Sequence, residues 1–350
     1  MIVAGARPNF MKIAPIASEL DRLGINNTLV HTGQHYDQSM SDNFFEELNI
    51  KAPDFNLNVG SDTHARQTAK IMEAFEPIVT ELKPSLLVVV GDVNSTLATA
   101  LTAIKLGIKV AHVEAGLRSF DKTMPEEINR IVVDHISDIL YAPSRDGVIN
   151  LQNEGLIDKS ELVGNVMVDT LTQHLESARN RPIVSEMADG NYGLLTLHRP
   201  SNVDDKKVLT NLIETVSEIS KTLKIIFPCH PRTKDKIREF DLPTTFKVID
   251  PVSYLDSIAL QASAKVVLTD SGGMQEESTI LGVPCLTLRN NTERPITVTE
   301  GTNFIVGNDK SKILSTFFDV INKDFKATMP YMWDGQASKR IVLSLISKLR

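Results

Sequence analysis

Short apolar runs of four or five residues recur along the chain, each followed by a longer stretch with helical spacing. That alternation leaves little besides parallel strands joined by crossover helices. The first series reads as strands at Ile2 to Ala6, Thr28 to Thr32, Leu86 to Val90, Lys109 to Val113 and Ile139 to Ala142. Between them, Phe10, Ile13, Ile16, Ala17, Leu20 and Leu23 fall on one helical face before Gly24 stops it. Helices are also expected at Ala65 to Leu82 and Ser95 to Leu106. A second series places strands at Leu194 to Leu197, Lys224 to Phe227, Phe246 to Ile249, Val266 to Thr269 and Pro284 to Leu288. A last amphipathic segment, Ala337 to Leu349, is too apolar to stand alone and must dock on a domain.

At 350 residues the chain exceeds one comfortable core, so two domains of about 150 to 180 residues each are expected. Periodicity fades after the helix at Val166 to Arg179, in RNRPIVSEMADGNYG, which marks the boundary. A net charge of −7 argues against a nucleic-acid or anionic-membrane surface, so an anionic ligand needs a local cationic pocket. The two cysteines, Cys229 and Cys285, have no CxxC spacing and support neither a disulfide framework nor a thiolate metal site. The longest strongly apolar stretch, Leu86 to Val90, is far too short to span a membrane, and MIVAGARPN lacks a signal core. A reduced, cytoplasmic setting fits these features.

Residues unsuited to a core gather just after the expected strands. They are GARPN, TGQHYD, GDVNST and EAGLRS in the first half, and LHRPSN, PCHPRT, TDSGGMQEE and LRNNTERP in the second. Ligands of open parallel sheets bind at that edge, where loops and helix amino termini converge. In TDSGGMQEE, Ser271, Gly272 and Gly273 let free N–H groups approach a phosphate, or form an ordinary tight turn. Glu276 and Glu277 follow, placed either to cap the helix or to receive ribose hydroxyls.

Arg7, Lys12, Arg199, His230, Arg232 and Arg294 each follow a strand, where guanidinium forks suit pyrophosphate. Asp92, Glu114, Glu126 and Glu127 supply acids suited to moving protons at a sugar. Asp92 and Asn94 are equally placed to cap a helix, and acids after Pro125 favour a helix start on their own. Glu114 has the least local reason to follow a buried strand. HExxH, a Walker loop and GxGxxG are absent, which removes support for a zinc protease, a P-loop NTPase and a dinucleotide dehydrogenase.

Taken in order, GARPNFMKIAP, TGQHYD, GDVNST, HVEAGLRSFD, MPEEINR, GNVMVDTL, TLHRPSNVD, TDSGGMQEE, LGVPCLTLR and TERPITVTEGTN resemble the UDP-N-acetylglucosamine 2-epimerases over nearly the whole chain. The resemblance implies an α/β GT-B fold of two Rossmann-like domains facing a central cleft. Residues 1–166 would form the sugar and catalytic side, with 335–350 returning to them as a C-terminal helix, and 167–334 would bind UDP. It implies a homodimer acting on a UDP-sugar with no cofactor or metal. The implied reaction interconverts UDP-GlcNAc and UDP-ManNAc, supplying ManNAc-type sugars for surface polysaccharides.

By motif position, Asp92, Glu114, Glu126 and His198 match the family's catalytic residues. Arg7, Ser271, Gly272, Gly273 and Glu277 match its UDP-binding positions, with Lys12, His230, Glu276 and Arg294 as supporting cleft residues. An activating second UDP-GlcNAc site draws on positions matching Gln34, Arg66, Arg199 and His230, but Asp37 stands where that site has a second glutamine. The loop RSFDKTM between Glu114 and Glu126 is shorter than in well-known bacterial members. The rival readings are a hydrolysing epimerase releasing ManNAc and UDP, an epimerase of a modified UDP-HexNAc, a GT-B glycosyltransferase, and a UDP-sugar-binding module without turnover.

Overall fold

The computed structural model describes residues 1–33, 50–187, 191–322 and 325–349, and the chain forms two compact units, Met1–Thr172 with Tyr331–Arg350, and Gln173–Pro330. The first unit is built on seven strands: β1 (Ile2–Ala4), β2 (Leu29–His31), β3 (Phe55–Asn56), β4 (Leu86–Val90), β5 (Lys109–Val113), β6 (Ile139–Ala142) and β7 (Ser160–Leu162). They pair in parallel in the order β3-β2-β1-β4-β5-β6-β7. All five residues of β4 are buried, as expected for a central strand covered on both faces. Helices α1 (Arg7–Arg22), α2 (His64–Leu82), α3 (Asn94–Lys105) and α4 (Pro125–Ile136) follow their strands. Phe75 and Val79 of α2 and Ala100 and Ala103 of α3 pack with Leu87 and Val89, and the small alanines let two helices share one stretch of sheet.

The apolar C-terminal helix, Ala337–Leu349, docks on α1. Its first N–H groups are capped by the buried Asp169 carboxylate, which accepts from Ala337 at 3.1 Å and Ser338 at 2.8 Å. Trp333, just before it, donates its indole N–H to the Pro143 carbonyl.

The second unit repeats the plan with β8 (Tyr192–Thr196), β9 (Lys224–Pro228), β10 (Lys247–Ile249), β11 (Val266–Thr269), β12 (Cys285–Thr287) and β13 (Asn303–Ile305), parallel in the order β10-β9-β8-β11-β12-β13. Helices α5 (Lys206–Ile219), α6 (Pro231–Glu239), α7 (Tyr254–Ser263), α8 (Gly272–Leu281) and α9 (Lys310–Asn322) surround it. Leu212, Ile213 and Val216 of α5 cover one face with Phe317 of α9, and Ala259 and Leu260 of α7 cover the other.

Both sheets reverse direction of winding once, between β1 and β4 and between β8 and β11. That is the Rossmann strand order, and such switch points are where open α/β sheets hold ligands. Strands β3, β7 and β13 were not expected from the sequence. Each is two or three residues long at or near a sheet edge, and β3 and β7 have no buried residue, so no apolar run announces them. Among the described residues no helix is long and apolar enough to cross a membrane.

Candidate active site

The switch point of the first unit is closed by Asn9, in the first turn of α1. Its Oδ1 accepts from the N–H groups of Gly5 (3.3 Å) and Ala6 (3.0 Å), and its Nδ2 donates to the Val90 carbonyl at 3.2 Å. One turn further along α1, the buried Lys12 ammonium pairs with Glu114 Oε2. Glu114 sits in the left-handed region at φ 74°, a conformation that costs a non-glycine residue about 1–2 kcal/mol. Tyr141 holds it there, because its carbonyl accepts from both Glu114 N–H (3.1 Å) and Ala115 N–H (3.0 Å). Gly91 lies against both groups. A Cβ there would stand 3.2 Å from Asn9 Nδ2 and 3.3 Å from Glu114 Oε2, at a φ of +69° that itself favours glycine.

Asp92 does not cap α3, whose N-cap is Val93 with no side-chain cap. Its Oδ2 receives Arg130 Nη2 at 2.6 Å and Nε at 3.0 Å, and Arg130 Nη1 reaches Glu127 Oε2 at 2.7 Å. Glu127 in turn accepts the N–H groups of Ser119 (2.9 Å) and Phe120 (2.8 Å). The chain Asp92–Arg130–Glu127 therefore ties one acid to the loop after Glu114. Asn94 is also not a cap; it donates to Gln67 Oε1 at 2.8 Å. Glu126 is half-buried in the first turn of α4.

In the second unit the corresponding bridge is Asp270, fully buried after β11. It accepts the N–H groups of His198 (3.1 Å) and Arg199 (2.9 Å) and the Asn202 amide (3.2 Å), and it meets His198 Nδ1 at 3.0 Å. Burial alone would raise its pKa, but the His198 imidazole and these N–H groups outweigh burial and keep it below the usual carboxylate range. His198 is thereby oriented while its ring stays 46% exposed.

Ser271 is the N-cap of α8, with Gly272 and Gly273 as its first residues. A Cβ on Gly272 would lie 2.6 Å from Glu293 Oε1, whereas one on Gly273 would meet only Ser271 Oγ at 3.9 Å. Gly272 is thus needed for packing, and the space above Gly273 is open to a ligand. Arg294 is held between Glu276 (2.9 Å) and Glu293 (3.0 Å). Burial works against ionised Glu293, yet Arg294 and Arg289 hold its carboxyl far below the usual range. Glu277 contrasts with it. Burial pushes it up to about 7, partly offset by the 2.8 Å hydrogen bond from Gln261 and reinforced by Glu276. Neither Glu276 nor Glu277 caps α8.

The remaining expected residues lie further out or cannot be placed. His230 is exposed as the N-cap of α6, accepting from Arg232 N–H at 3.3 Å. Arg66 is exposed in the first turn of α2, and Arg199 reaches Glu293 at 3.8 Å. The Arg7 side chain, Gln34 and Asp37 lie outside the described residues. Asn9, Arg130 and Asp270 were missed in the sequence, although all three fall inside its quoted motifs, and Glu127, expected there as a proton-moving acid, instead pairs with Arg130 and holds two loop N–H groups.

A profile of the family described as UDP-N-acetylglucosamine 2-epimerase matches residues 18–346. The chain belongs to the UDP-N-acetylglucosamine 2-epimerase family. It is an isomerase, and its two Rossmann-type units are those of the GT-B class. The UDP-N-acetylglucosamine 2-epimerase of Methanocaldococcus jannaschii is 46% identical, with 97% of both chains covered. The crystal structure of the M. jannaschii enzyme in complex with UDP-GlcNAc and UDP superposes with a TM-score of 0.91 at 45% identity, covering 99% of each chain. The UDP-2,3-diacetamido-2,3-dideoxy-D-glucuronate 2-epimerase of Pseudomonas aeruginosa is 41% identical, again with 97% of both chains covered.

Proposed function

We propose that this epimerase interconverts UDP-GlcNAc and UDP-ManNAc by the non-hydrolysing route, with the first unit handling the sugar and the second holding UDP. The observation that carries the proposal is Glu114, a buried carboxylate held in a left-handed turn against Lys12 at the switch point of the first sheet. A buried, cation-paired carboxylate in a strained turn is the kind of placement that clusters at functional sites.

The hydrogen at C2 is poorly acidic while UDP is attached, so departure of UDP must accompany its loss. As the C1–O bond breaks, its electron pair leaves with UDP and C1 gains oxocarbenium character. A carboxylate takes the C2 proton, and the C2–H electrons form the C1=C2 bond of 2-acetamidoglucal. UDP then re-adds at C1 while a proton reaches C2 from the opposite face. Asp92, Glu114 and Glu126 supply the acids and bases. His198, oriented by Asp270, and the N–H groups at Ser271 to Gly273 stabilise the departing pyrophosphate, with Arg7, Lys12 and Arg294 adding positive charge and His230 a hydrogen-bonding ring. Glu276 and Glu277 lie toward the ribose. The enzyme works as a cytoplasmic homodimer, and Gln34, Arg66 and Arg199 stay candidates for allosteric activation by motif position alone.

A modified UDP-HexNAc is the second reading, favoured by the 41% identity to an epimerase of a diacetamido glucuronate. The test is to incubate purified protein with each UDP-sugar separately and follow proton and phosphorus NMR. UDP-ManNAc formed from UDP-GlcNAc alone is the expected result. Free ManNAc with UDP would replace the route with hydrolysis, and turnover of only the diacetamido uronate would replace the substrate.

A further inference from the structure

The imidazole of His112 has no solvent exposure, and it joins the two turns on which the proposed chemistry depends. Its Nε2 lies 2.8 Å from the Gly91 carbonyl, immediately before Asp92. Its Nδ1 lies 2.6 Å from Asp134 Oδ1. The other oxygen of Asp134 accepts the Gly116 N–H at 3.0 Å, two residues after Glu114, and Arg118 Nη1 at 2.8 Å.

A carbonyl only accepts, so Nε2 donates to Gly91, and Nδ1 faces Asp134, whose pKa His112 and Arg118 keep lowered although burial opposes it. Arg118 also binds the half-buried Glu154 with two contacts of 2.7 Å. The other titratable groups beside these residues are Lys159, whose Nζ donates to the Asp134 carbonyl at 3.0 Å, and His135, 3.8 Å from Glu154. Glu114 and Asp92 sit on the turns themselves, each with its own cation.

We infer that His112 is a positioning residue, a buried ring held at both nitrogens that locks the Gly91–Asp92 turn to the Glu114–Gly116 turn. It touches no substrate, and it holds the two carboxylates in fixed relation while the proton moves at C2. The inference rests on the catalytic reading of Asp92 and Glu114 for its consequence, though not for the bridge itself.

The test has two arms. In 15N-histidine-labelled wild-type protein, the Nε2–H signal of His112, assigned by its loss in His112→Gln, should be present and slow to exchange, as a buried donor to the Gly91 carbonyl. Asp134→Asn weakens the contact that ties the ring to the Gly116 turn, so its kcat should fall roughly 10–100-fold while KM stays within about threefold. His112→Gln should show the same fall in kcat with KM held. An Nε2 without hydrogen, or wild-type kcat in both variants, overturns the inference. Failure of the catalytic reading would register separately, as full activity in Glu114→Gln with an unchanged His112 spectrum.

Discussion

The two switch points solve the same structural problem with different chemistry. In the first unit a neutral amide, Asn9, bridges β1 and β4 by both donating and accepting. In the second a carboxylate, Asp270, bridges β8 and β11 by accepting only. The neutral bridge leaves the local charge to Glu114 and Asp92, each matched by a cation from a neighbouring helix. The anionic bridge spends its charge on orienting His198, next to a helix start open to an anion. On the proposed reading, one Rossmann plan carries a proton-handling edge in one copy and an anion-holding edge in the other, and the difference lies in a few side chains after each strand.

That division can be broken first at its acidic end. Glu114→Gln keeps the shape of the turn and removes the proposed base, so kcat should fall by at least about a hundredfold while UDP binding, followed calorimetrically, stays near wild type. If UDP affinity collapsed instead, Glu114 would belong to the nucleotide site.

A paired substitution sharpens the other end. Gly272→Ala places a methyl 2.6 Å from Glu293 Oε1, a group fixed by two arginines, and should cost about 1–3 kcal/mol of stability together with UDP affinity. Gly273→Ala has no such clash, so it should unfold like wild type yet bind UDP more weakly. Equal UDP affinity in wild type and Gly273→Ala would mean that the open space above that glycine is not used.

A smaller effect tests Glu277. Its folded pKa, raised to about 7 by burial, exceeds the unfolded value, so the unfolded chain releases its proton first as pH rises. The contribution is fully present below the unfolded pKa, near 4.5, and is lost as pH climbs through about 7. Ligand-free protein should therefore lose stability across that window in denaturant titrations, and Glu277→Gln should flatten the slope. An unchanged slope would place the titrating group elsewhere.

Much of this was legible because parallel strands buried on both faces spell themselves out as apolar runs. β4 is all Leu and Val, and the polar residues after each strand mark the ligand edge. Glu114 stood out for the same reason, an acid where a buried strand ends. What stayed hidden were the partners. Arg130 lies 38 residues from Asp92, and Asp270 lies 72 residues from His198. Inside MPEEINR and TDSGG, nothing local distinguishes a buried bridging ion from a solvated one, because its role exists only once the sheet brings two distant turns together. Glu127 shows this most clearly. Read locally it is a first-turn acid favoured by the helix dipole, yet in the fold it is buried and clamps Ser119, Phe120 and Arg130.

The central claim is that C2 of the sugar gives up its proton to the enzyme while UDP departs. Running the reaction in heavy water with UDP-GlcNAc tests it directly. The account predicts UDP-ManNAc carrying deuterium at C2, and label appearing in recovered UDP-GlcNAc as the reaction reverses. An epimer that kept its original C2 hydrogen would contradict it.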